Sequence, residues 1–125
     1  MANQNEGDKE QKLSSWGLVQ PAVLILIMEE PRHGYALLEE LKTRGFLPNS
    51  ADGGNVYRGL RKMEAEGKVI SRWVHFDGKG PRRRIYQITQ KGKDSLYEEA
   101  LGLAERAKFI ELFLSQFRRI FSNEL

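Results

Sequence analysis

Eight apolar residues near the C-terminus, Leu96, Ala100, Leu103, Ala107, Ile110, Leu114, Phe117 and Phe121, follow alternating steps of four and three with no polar interruption. A seam of that period forms on one long helix, and its apolar edge has to be covered. Phe109, Leu112, Phe113 and Ile120 put further apolar surface outside the seam. A chain of 125 residues builds one core, and so much exposed apolar surface would be unusual in a monomer. The pattern therefore predicts a last helix that Thr89 N-caps, running to about Ser122 and pairing with a second copy. Leu96, Leu103, Ile110, Leu114, Phe117 and Phe121 are the candidate dimer contacts. Packing against the chain's own apolar first segment is the alternative, and the two arrangements are compatible.

That first segment, Leu13 to Met28, is strongly apolar. A helix over 18–29 fits, because Pro21 is tolerated in a first helical turn. A buried strand fits as well, since Val23, Leu24, Ile25, Leu26 and Ile27 show no clear period. Pro31 stops the segment. A second helix is expected over Gly34–Arg44, with Tyr35, Leu38 and Leu41 on one face and Gly45 ending it. Residues 46–54 hold Pro48, Asn49, Ser50, Asp52 and two glycines, and read as a turn. Asp52 is then placed to N-cap a third helix that ends near Glu66 and Gly67. Its core stripe is Val56, Leu60 and Met63, at i, i+4 and i+7. Asn55, Arg58, Arg61, Lys62 and Ala65 gather on the opposite face, with Tyr57 at the edge. Two strands follow, Lys68–Phe76 and Arg82–Thr89, joined by a turn-forming loop over 77–81.

The charge is uneven along this frame. Residues 54–93 carry eleven basic against three acidic side chains, whereas the whole chain has a net charge of only +3. A helix with a basic outer face suits the major groove of DNA. Beside it, a hairpin carrying Lys79, Arg82, Arg83 and Arg84 sits where a wing meets phosphates or a minor groove. Strand alternation points Arg82 and Arg84 one way and Arg83 the other. The chain order is that of a winged helix-turn-helix: mainly α with a small β-hairpin, an α+β fold. The expected organisation is a disordered tail over 1–12, a winged domain over 13–92 and a dimerisation helix over 93–122.

Residues His33 to Leu96 resemble the PadR family of bacterial transcriptional regulators. The likeness is carried by His33-Gly34-Tyr35, by Gly54-Asn55-Val56-Tyr57 and by the run from Leu60 to Gly67. It continues in Ser71-Arg72-Trp73, Gly80-Pro81-Arg82-Arg83, Tyr86 and Ile88-Thr89-Gln90-Lys91-Gly92. The resemblance implies a winged-helix domain, a helical dimerisation arm, and repression relieved by a small molecule or a stress signal. Two positions depart from the family's habit, with Gly53 where a proline is frequent and Asn55 where a threonine is. Gly53 should make the helix start less rigid, and Asn55 changes the readout, since its amide can pair with adenine. Val56-Tyr57-Arg58 also resembles the branch of polyhydroxybutyrate-responsive repressors.

Other chemistries find little support. There is no cysteine, and the two histidines, His33 and His75, lie far apart in the sequence with no carboxylate cluster beside them. Neither a metal site nor a cofactor is expected. His33 reads as a helix-start residue and His75 as a strand residue on the wing. No phosphate-binding glycine loop occurs, and Glu29-Glu30 and Glu98-Glu99 read as solvated helix charges, so no catalytic residue is assigned. The longest apolar run, Ala22–Met28, is too short to span a bilayer, and residues 1–12 lack the apolar stretch of a signal peptide. The expectation is a cytoplasmic homodimer on a pseudo-palindromic double-stranded DNA operator, away from membranes. Trp16, Phe109 and Phe113 are candidates to line a pocket for an apolar or aromatic effector. A winged-helix module that binds an acidic protein instead of DNA is the competing reading.

Overall fold

The computed structural model describes residues 17–76, 79–122 and 125. The tail expected over 1–12, Trp16, and the hairpin-tip residues Asp77 and Gly78 lie outside the described residues. The elements run α1 (Val19–Glu29), β1 (Arg32–His33), α2 (Gly34–Thr43), α3 (Gly54–Ala65), β2 (Val69–Phe76), β3 (Lys79–Ile88) and α4 (Gln90–Phe121). The strands form one antiparallel sheet in the order β1-β3-β2.

The first segment is a helix, not a strand. Seven of its residues are buried, from Val19 to Ile27, while Ile25 and Met28 are exposed. A helix sunk on most sides has no polar face, which is why its sequence shows no period. Around it lie Leu37, Leu38 and Leu41 of α2, Val56, Leu60 and Met63 of α3, and Val69 and Tyr86 of the sheet. Burying each large aliphatic side chain stabilises by about 1.5–3 kcal/mol. The α3 stripe is as the spacing predicts. On α2 the buried set is Gly34, Leu37, Leu38 and Leu41, and Tyr35 points outward instead of joining Leu38 and Leu41.

Two further details differ from the sequence reading. Gly53, not Asp52, is the N-cap of α3, and it has φ +88°. Asp52 stands one residue earlier, where its Oδ1 accepts the Gly54 N–H at 2.8 Å. A proline, fixed near φ −65°, cannot take the Gly53 conformation. A Cβ there would also come within 2.8 Å of a Leu38 methyl group. Gly53 is thus tightly held, and this helix starts differently from one opened by proline. The hairpin is also longer than expected. Gly80 and Pro81 lie inside β3, and Phe76 pairs with Lys79. The short β1, which the sequence did not suggest, pairs Arg32 with Tyr86 and His33 with Ile85.

The start of α4 is pinned to the turn between α3 and β2. Thr89 caps it, accepting the Gly92 N–H on Oγ1 at 3.1 Å and donating the same hydroxyl to the Gly67 carbonyl at 2.6 Å. Gly92 is buried there, and a Cβ on it would stand 2.1 Å from the Lys68 carbonyl oxygen. Leu96 packs on the core and further along α4 lies beside α1, with Leu18, Leu103, Arg106, Ala107 and Ile110 lining an apolar hollow of about 290 Å³. Most of the remaining helix is bare. Leu101, Phe109, Ile110, Leu112, Phe113, Ile120 and Phe121 are all exposed. Among the described residues, no helix is long and apolar enough to cross a membrane.

Candidate nucleic-acid interface

Because Val56, Leu60 and Met63 anchor α3 from below, its remaining side chains are turned outward. Arg58, Arg61 and Lys62 are exposed on that face, and Asn55 sits half-buried at its N-terminal end. The Asn55 and Arg58 side chains are hydrogen-bonded to each other, Asn55 Oδ1 accepting from the guanidinium. Tyr57 is half-buried and packed against the core, its ring lying beside Gly34 and Gly53. Tyr57 therefore borders the basic face instead of standing on it.

The wing distributes its arginines by strand register. Ser71 faces Tyr86 and Trp73 faces Arg84 across β2 and β3, while Val74 faces Arg83. Ser71, Trp73, Arg84 and Tyr86 thus share one face of the hairpin. Arg84 donates from Nη2 to Glu64 Oε1 at 2.9 Å and from Nε to Ser71 Oγ at 2.7 Å. Ser71 in turn donates to the other Glu64 oxygen at 2.6 Å, closing a ring of three side chains from α3, β2 and β3. The Arg84 guanidinium also lies 5.7 Å from the Trp73 ring centre and 5.9 Å from that of Tyr86. Burial pushes the Tyr86 hydroxyl up in pKa. Arg82 is exposed, and Lys79 opens β3 opposite Phe76 with its side chain outside the described atoms.

Arg83 turns toward the start of α2. His33 is the N-cap there, its Nδ1 accepting the Ala36 N–H at 3.1 Å. With Nδ1 accepting, Nε2 carries the ring proton, so the Arg83 guanidinium 3.3 Å from Nε2 is a cation beside a donor. Burial, and then the Arg83 charge, hold the His33 pKa below its ordinary value. Between these elements runs a groove of about 680 Å³, lined among others by His33, Tyr35, Tyr57, Arg83, Arg84 and Tyr86.

Of the expected contact residues, Arg58, Arg61 and Lys62 are thus exposed on α3 and Arg82 is exposed on the wing, while Arg83 turns to α2 and Arg84 is bound to Glu64. Phe109 and Phe113 lie exposed on α4, whereas Trp16 is outside the described residues. The Glu64 role was not visible beforehand, since its partners lie 7 and 20 positions away, whereas His33 stands at the helix start read for it and caps that helix with its ring. Among the described residues, no group of three or more His, Cys, Asp or Glu side chains is placed to hold a metal ion.

Comparison with known proteins identifies the family and the fold. Residues 23–98 match the transcriptional regulator PadR-like family. A transcriptional regulator of Mycobacterium tuberculosis is 33% identical over 76 residues, which cover 61% of this chain and 66% of that protein. A crystal structure described as a potential transcriptional factor is 33% identical, with a TM-score of 0.70 over 86% of this chain and 93% of that one. The structure of a PadR-like regulator from Bacillus cereus superposes with a TM-score of 0.68 at 26% identity, covering 78% of this chain and 92% of that one. The likeness reaches the family and not the polyhydroxybutyrate-responsive branch. With a winged-helix fold, a three-stranded wing sheet and a match across most of the described domain, this chain is a transcriptional regulator of the PadR family.

Proposed function

We propose that this regulator is a cytoplasmic repressor that binds double-stranded DNA as a homodimer. The observation that carries the reading is the basic row Arg58, Arg61 and Lys62, exposed on a helix whose other side is buried in the core. Laid in a major groove, that row and Asn55 meet base edges, with Tyr57 at the margin. Arg82, Arg83 and Lys79 meet the flanking backbone, where charge and not sequence is read. A dimer pairs two such helices, so the operator is pseudo-palindromic, with half-sites about 10 bp apart or a multiple of that. The dimer contacts are Leu96, Leu103, Ile110, Leu114, Phe117 and Phe121. The bare apolar length of α4 supports a second copy there, because Ile110 is 58% and Phe121 47% exposed in the single chain.

Titration of duplex DNA at several salt concentrations tests the reading. Affinity that falls steeply with salt and is restored by one preferred sequence supports it. No preference for any duplex, together with tight binding to an acidic protein, would replace it with a protein-interaction module. The regulatory half of the proposal is an apolar or aromatic effector received near Phe109 and Phe113, with Trp16 as the third candidate. Such a ligand has to prefer the state that does not bind DNA, so saturating amounts weaken operator binding. Ligand binding that leaves operator affinity unchanged removes that half and keeps the other.

A further inference from the structure

Glu64 is one of only three acidic residues in the basic block 54–93, and it lies in the last turns of the helix proposed to enter the groove. A carboxylate there repels phosphates, so its presence needs a reason other than DNA affinity. The ring it forms supplies one. Glu64 holds Ser71 with one oxygen and Arg84 with the other, and Arg84 closes on Ser71 through Nε. The three residues belong to α3, β2 and β3, and the Arg84 guanidinium is further flanked by Trp73 and Tyr86. Two hydrogen bonds leave the planar guanidinium in fixed directions, which a lysine cannot reproduce.

Magnitudes decide what such a ring is for. The Glu64 and Arg84 side chains remain 28% and 43% exposed, and a partly exposed ion pair adds little stability. Its geometric effect is larger, because a two-stranded hairpin has little rigidity of its own. The third strand, β1, supports β3 only at Ile85 and Tyr86. Arg82 and Arg83 lie beyond that support, and the ring is the polar tie that joins their strand to the recognition helix on the wing side of the Tyr86 core packing. We infer that Glu64 and Arg84 form a clamp that fixes the angle between wing and recognition helix, making them positioning residues for operator choice. Arg84 then serves by holding Glu64, and the phosphate contacts of the wing fall to its neighbours. The inference rests on the proposed DNA binding.

The test uses the full chain and two duplexes of equal length: one enriched by the wild-type protein from a randomised pool, and a scrambled version of it. Glu64→Gln removes a negative charge beside the DNA, so binding to the scrambled duplex holds or rises. The clamp predicts that preference for the enriched duplex nonetheless drops roughly five-fold or more, within the usual range for breaking a coupled network. Arg84→Lys keeps the charge and the salt dependence but loses the ring, and shows the same drop. The double variant falls no further than the worse single one, since both act on one ring. Ser71→Ala, which changes no charge, gives a smaller drop and covers the case in which Glu64→Gln unfolds. If Glu64→Gln strengthens binding to both duplexes equally, or Arg84→Lys keeps the full preference, the clamp is wrong and DNA binding stands. A wild-type protein that enriches no sequence overturns both.

Discussion

The Arg83 guanidinium stands 3.3 Å from His33 Nε2, at a ring whose other nitrogen caps α2. The cap works only while Nδ1 is unprotonated, and burial, then the nearby cation, oppose a positive charge on the ring. The folded state therefore binds a proton at His33 less readily than the unfolded chain, whose value is near 6.5.

A stability prediction follows with a definite sign. The His33 contribution is complete above about pH 6.5 and declines as the pH falls through that value toward the lowered folded one. Thermal melts between pH 7.5 and 5.5 should show the loss. His33→Asn keeps an N-cap and should flatten this part of the profile, while His33→Ala should cost about 0.5–2 kcal/mol at neutral pH. An unchanged slope in His33→Asn would assign the pH dependence to other groups.

The long helix carries the second prediction. Ile110 and Leu114 lie on the seam, the first exposed and the second half-buried in the single chain. Substituting Glu at both should remove two contacts worth about 1.5–3 kcal/mol each and place charge in the proposed interface. Sedimentation should then find monomers or aggregates, with operator binding lost. A wild-type chain that sediments as a monomer at micromolar concentration contradicts the dimer.

Helix and wing should separate in their effects on DNA. Asn55→Ala or Arg58→Ala should cost about 1–3 kcal/mol on the operator and much less on random duplexes. These two effects are coupled, because the Asn55 and Arg58 side chains bond each other. Arg82→Ala or Lys79→Ala should weaken both duplexes similarly and reduce the salt slope by roughly 1 per phosphate contact, or about twice that per dimer. If the wing variants alter only operator preference, the two roles are exchanged.

Gly92→Ala should be among the most damaging small substitutions in the chain. Its methyl group would be forced to 2.1 Å from a carbonyl oxygen, so backbone has to move. A loss of about 1–3 kcal/mol in denaturant melts is expected. By contrast, Gly102→Ala, on open surface in the same helix, should leave stability equal or higher. Equal melts for Gly92→Ala and the parent would mean that the helix start can slide.

How much of this was legible in the sequence varies with the range of the interaction. The α3 stripe of Val56, Leu60 and Met63 and the Thr89 cap are local patterns, and they could be read directly. The state of Val23–Ile27 was open because a helix covered nearly all round loses its period. Asp52 does bond a nearby amide, but the turn made by Gly53 shifts the cap by one residue. Gly80 and Pro81 look like a turn and lie within β3 at an irregularity of its pairing with β2, where Gly80 keeps a positive φ. Within the candidate site, the basic residues of α3 and the wing could be named from charge and spacing. The inward engagement of Arg84 could not, because it depends on strand register and on a helix twenty positions away.

The crossing at Gly92 has a mechanical meaning for the proposed assembly. Helix α4 has 32 residues and so extends roughly 48 Å from a start pinned beside the end of the recognition helix. Anchored at the Lys68 carbonyl and seated on α1, such a rod acts as a lever, and a tilt of 5° of helix and seat together carries the far end through roughly 4 Å. A small change in how two copies grip each other along α4 is then converted into a change in the separation of their two reading heads. Tolerance for operator spacing is in that case set at the fulcrum, by how closely a glycine lets two backbones meet.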